Sequence, residues 1–89
     1  GTMPSWGLFA RHVKNLRVNE VEFRLMNADA RPAVYLEDAV GARFSDVRLP
    51  RREDGGRNWV FNKTSGFVAR DVSNLPDGEM RAVTGKVAR

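Results

Sequence analysis

Internal repetition constrains this chain more than any other feature. Residues 8–21, 34–47 and 59–72 superimpose without gaps, and Glu20, Asp46 and Asp71 fall at one position, each followed by a valine. The spacings are 26 and 25 residues. Within each segment apolar and polar residues alternate, the pattern of strands with one buried face. Leu8 and Ala10, Val34 and Leu36, and Trp59 and Phe61 share one side of the first strand. In the second strand Leu16 and Val18, Ala42 and Phe44, and Phe67 and Ala69 do the same. Asn15, Gly41 and Gly66 stand between the strands at one equivalent place, where a turn former is needed. A unit this short cannot bury its own apolar face, so each must stack on the next. The expected architecture is all-β: a parallel β-helix of about three rungs, roughly 4.8 Å apart. A leucine-rich repeat shares the period but needs an asparagine ladder and leucine consensus that are missing here. A β-sandwich of seven strands is the competing architecture, because regular strand spacing is its signal too.

With 89 residues the chain holds one domain. Residues 1–3 read as an expression scar, 4–79 as the repetitive body and 80–89 as a tail or cap, so the chain is expected to be a segment of a longer protein. Residues 26–31 and 51–57 read as exposed loops from their Asn, Asp, Gly and charged residues. There is no cysteine and a single histidine, which excludes disulfides, thiol nucleophiles and multi-histidine metal sites. No metal and no cofactor are expected. No apolar run approaches the roughly 18 residues of a membrane span. Fifteen basic residues against eleven acidic ones give +4. That sum suits a polyanion, but the cations are interleaved with acids, and only Arg51, Arg52 and Arg57 cluster along the chain. Neither nucleic acid nor membrane is expected as a partner.

The run from Gly7 to Val18, the stretch from Asp29 to Ala39 and the phrase Phe44-Ser45-Asp46-Val47 resemble the C-terminal rungs of bacterial polygalacturonase-like glycoside hydrolases. The resemblance covers roughly residues 5 to 50 and implies a right-handed parallel β-helix of the pectin-lyase type. It also implies a sugar-acid context and a secreted or periplasmic parent. The catalytic strings of that family, an aspartate cluster, a Gly-His-Gly turn and an Arg-Ile-Lys motif, do not occur here. The resemblance therefore carries over no catalytic residue.

Three constellations remain. The row Glu20, Asp46 and Asp71 could divide acid and base roles if its carboxylates stood roughly 5 to 9.5 Å apart. A turn-satisfying role, with Arg17, Arg43 and Arg70 neutralising the row, is the simpler expectation. His12 has no partner nucleophile in sequence and reads as a surface turn residue. Opposite the buried side of the first strand, Phe9, Tyr35 and Val60 must point outward, flanked by Arg11, Glu37 and Asn62. Phe9, Arg11, Tyr35, Glu37 and Asn62 are thus candidate carbohydrate-binding residues, with rings stacking on sugars and Arg11 pairing with a uronate. The same stripe could instead be a subunit interface or a shelf covered by the 24–31 loop.

The function expected from these readings is a non-catalytic structural or assembly module from a protein acting on acidic, pectin-like polysaccharide. A carbohydrate-binding module is the alternative, and a residual glycosidase a more distant one. Open strand edges at both ends of a three-layer stack predict a homo-oligomer, or stacking through those edges, with an acidic polysaccharide as a second partner.

Overall fold

The computed structural model describes residues 3–26 and 29–89. Gly1 and Thr2 of the expected scar, and Asn27 and Ala28 of the 26–31 loop, lie outside them. Eight strands follow in chain order: β1 (Leu8–Lys14), β2 (Arg17–Glu22), β3 (Val34–Val40), β4 (Arg43–Arg48), β5 (Trp59–Ser65), β6 (Val68–Val72), β7 (Gly78–Glu79) and β8 (Val83–Ala88). They form two four-stranded sheets, ordered β1-β3-β5-β8 and β2-β4-β6-β7. The first three strands of each sheet are parallel. Leu8 pairs with Val34 and Val34 with Trp59, while Arg17 pairs with Arg43 and Arg43 with Val68.

This arrangement corrects the expected right-handed parallel β-helix of about three rungs. Both sheets are open and mixed, because β8 runs antiparallel to β5 and β7 antiparallel to β6. Residues 73–77 reverse the chain, and the segment beyond them returns along the edges that β5 and β6 would otherwise leave bare. Alternating hydropathy could not reveal this, since the pattern of a strand reads the same in either direction. The tail is an integral part of the first sheet. Arg89 donates to Trp59 O at 2.8 Å and Trp59 donates to Arg89 O at 3.1 Å.

Left-handed backbone recurs at three equivalent places in each parallel unit. The first set is His12, Asp38 and Lys63 (φ 55, 50 and 50°), the second Asn15, Gly41 and Gly66 (59, 72 and 66°), and the third Glu20, Asp46 and Asp71 (56, 51 and 54°). A side chain in this region clashes with its own backbone, at roughly 1–2 kcal/mol per residue, and Asn, Asp and Gly bear it best. The first and third sets bend the strands and shift the phase of alternation by one residue. Leu36 and Ala39, Phe61 and Thr64, Phe44 and Val47, and Ala69 and Val72 all face inward for that reason, although each pair is three residues apart. The middle set makes the corner between sheets, and the backbone ladder continues through it. Asn15 N donates to Val40 O at 2.8 Å and Gly41 N to Ser65 O at 2.9 Å.

The core lies between the sheets, around Phe44, Trp59, Phe61 and Phe67. Trp59 stacks on Phe61 with centroids 5.9 Å apart, and Phe61 meets Phe67 edge-on at 4.8 Å. The indole N–H of Trp59 donates to Ser73 O at 2.8 Å, so the large ring is buried without an orphaned donor. Burial is uneven between layers. Val34, Ala39, Ala42, Phe44 and Val47 are at most 1% exposed, whereas their equivalents Leu8, Val13, Leu16, Val18 and Val21 are only half-buried.

The corner generates a test. A Cβ on Gly41 would lie 2.8 Å from Asn15 Oδ1 at a φ of +72°. Gly41→Ala is expected to destabilise the fold by about 1–2 kcal/mol, read as a lower urea midpoint with an unchanged m value.

Candidate functional site

The outer face of the first sheet carries the residues singled out in the sequence, and the pairing sets them in two rows. Phe9, Tyr35, Val60 and Ala88 form one row, and Arg11, Glu37, Asn62 and Lys86 the other. Phe9 and Tyr35 meet edge-on with centroids 5.7 Å apart. Arg11 Nε lies 2.7 Å from Glu37 Oε2. Val60 does not join an open stripe, being 7% exposed beside β8. The tail reaches over this face, for Lys86 Nζ sits 5.7 Å from the centre of the Tyr35 ring. The face is thus an apolar row with two rings, edged by a polar row in which Arg11 and Glu37 already satisfy each other.

His12 has a partner that sequence reading missed. Its Nδ1 is 2.6 Å from Asp38 Oδ2, and both side chains are more than half exposed. The signal was present, since the two residues occupy equivalent positions 26 apart, where parallel pairing brings side chains within hydrogen-bond reach.

The acid row is neutralised differently from expectation. Arg48, not Arg17, Arg43 or Arg70, lies between Asp46 (3.3 Å) and Asp71 (2.7 Å) and also donates to Asp71 O. Asp71 beside it raises the Arg48 guanidinium above its ordinary value. A shared arginine makes this row an ion-pair network, whereas divided acid and base roles need one carboxyl kept protonated. Among the described residues no three His, Cys, Asp or Glu side chains are grouped to hold a metal.

The side chain of Arg52, read from sequence as one of a solvated cluster, is 6% exposed. It donates to Asp29 O and Arg31 O at 2.9 Å, and its Nη2 lies 3.0 Å from Asp54 Oδ2, so it ties the loop before β3 to the loop before β5. A hollow of about 530 Å³ lies beside it among Arg51, Arg57, Asn58, Asn74 and Arg89. Asp29 in turn holds Arg31, and the hydrogen bonds from that residue bring the Asp29 carboxyl down to about 2. Arg52 likewise lowers Asp54.

On the outer face of the second sheet, Arg17 lies directly beside Arg43 in parallel register, and Arg70 beside Ser45. A groove of about 330 Å³ runs between these three arginines. Ser45 Oγ donates to Asn19 Oδ1 at 2.6 Å in its floor. Comparison with known proteins finds no family model, no curated protein and no solved structure that matches the chain.

Two outcomes are expected from the loop network. Arg52→Ala strips partners from two backbone carbonyls and Asp54 and should cost about 2–4 kcal/mol in denaturant unfolding, with Arg52→Lys recovering less than half because a single ammonium cannot span the fork. Asp29 and Asp54 have lowered carboxyl values in the fold, so their contribution is present above the ordinary 3.8 and is lost as the pH falls. Melting temperature should therefore drop between about pH 4 and about pH 2, and Asp29→Asn with Asp54→Asn should flatten that drop.

Proposed function

We propose that the chain is a non-catalytic structural and assembly module that pairs with a second copy through its β1–β2 end. The observation that carries this reading is the unequal burial of equivalent positions. Leu8, Val13, Leu16, Val18 and Val21 are half-buried where the same positions one layer deeper are sealed. Among the described residues β1 and β2, beside them, each pair on one side only. Half-exposed apolar side chains and unpaired strand edges at one end are what an additional layer of strands would cover.

A second copy fits because β1 and β2 are complementary about their corner at Asn15 and Leu16. A two-fold axis along the bisector of that corner lays β1 antiparallel on β2 of the other copy, and the reverse. Counting outward from the corner, Val13 then meets Val18 and Ala10 meets Val21, the register neighbour of buried Val47, while Leu8 meets Phe23, which already packs edge-on against Trp6. On the outer side Arg11 meets Glu20. Lys14 meets Arg17 at the corner, a like pair that opposes the contact. The opposite end already accepts antiparallel strands in β7 and β8. The sugar-platform reading has less support, since Lys86 sits over the Tyr35 ring and Val60 of the same row is buried.

Light scattering after size exclusion should give a dimer at high micromolar concentration. Glu20→Arg should weaken it about tenfold, equivalent to about 1.4 kcal/mol, and adding Arg11→Glu should restore it. A strict monomer for the unaltered chain, or a double variant no tighter than the single one, overturns the proposal.

A further inference from the structure

We propose that the groove between Arg17, Arg43 and Arg70 is an oxyanion-binding site, taking a sulfate, phosphate or carboxylate group of a ligand. Five of the twelve arginines, Arg11, Arg24, Arg31, Arg48 and Arg52, each have a carboxylate within 4 Å. Arg17, Arg43 and Arg70 have no such partner among the described residues. Their placement is set by strand register and not by loop conformation, and Arg17 and Arg43 are direct neighbours on parallel strands. Like charges placed directly opposite one another oppose folding. An anion seated between them reverses the sign of that interaction.

The surroundings supply donors. Asn19 Oδ1 is already occupied by the Ser45 hydroxyl, which leaves the Asn19 amide N–H groups as the free end of that side chain. The nearest acids are engaged elsewhere or set apart. Asp46 and Asp71 hold Arg48, and Glu79 follows Val68 at the far end of the Arg17–Arg43 row without reaching an arginine. Guanidinium forks match the planar or tetrahedral oxygens of carboxylate, sulfate and phosphate. The groove offers no outward aromatic ring, Phe44 being 1% exposed on the core side, so it lacks the stacking platform that single-stranded nucleic acid uses. The larger hollow gathers Arg51, Arg57 and Arg89, but Arg51 and Arg57 stand in the loop before β5 and Arg89 beyond β8, so strand register does not set them side by side.

Sodium sulfate, sodium phosphate and sodium acetate are titrated separately against the full chain at constant ionic strength held with chloride, with amide chemical shifts and melting temperature as readouts. Shifts should centre on residues 17–19, 43–45 and 68–70, and the anion giving the largest effect identifies the group preferred. Arg43→Gln should raise the melting temperature without added anion, by relieving the like-charge pair, and should weaken anion binding at least fivefold. Arg43→Lys should keep the charge but recover only part of the affinity. Arg51→Gln with Arg57→Gln should leave binding unchanged. Effects no larger than chloride's, loss of binding in the Arg51/Arg57 variant but not in Arg43→Gln, or binding of duplex DNA undiminished by Arg43→Gln each overturns the assignment.

Discussion

Left-handed backbone at nine equivalent residues holds three stretches of chain in register, and the rest of the molecule depends on that register. Each bend costs conformational energy, at His12, Lys63 and Glu20 without the help of a residue suited to it. In return the bends keep the ladder unbroken around the Asn15, Gly41 and Gly66 corners and turn extra apolar side chains toward the core. Because the bends coincide from layer to layer, side chains outside the core stack as columns too. The Phe9–Tyr35 contact, the Arg11–Glu37 and His12–Asp38 pairs and the Arg17–Arg43 adjacency are all products of that coincidence.

The excess of arginine becomes intelligible once the columns are known. Arg48 bridges two carboxylates across strands, and Arg52 is an internal tie whose carbonyl and carboxylate partners offset the cost of burial. Net charge alone separates neither of these from Arg17, Arg43 and Arg70. What distinguishes the last three is the chemistry of their neighbours on adjacent strands, a property of register and not of composition.

The inward residues of the parallel strands were legible in the sequence because hydropathy and repeat alignment point to the same side chains. Val34, Leu36, Trp59 and Phe61 could be assigned to the core from alternation alone. Ala39, Val47, Thr64 and Val72 lie beyond a left-handed residue, where strict period-two reading loses phase. Strand direction after Pro76 was not legible, since the tail has few apolar residues and no counterpart in the repeat. The partner of His12 could have been found from the alignment, whereas Arg48 over the acid row and Arg52 between loops depend on long side chains whose reach no spacing encodes.

The two ends of the molecule differ in kind. At one, β8 meets β5 across an irregularity between Asn62 and Thr64 and presents an outer edge bearing Lys86, features that discourage further pairing. At the other, the first layer is only half-covered. If the proposed two-fold contact forms there, the particle has a single adhesive pole, closes after one partner and has no route to indefinite polymerisation. Its assembly would be finite by geometry, without needing a separate terminator.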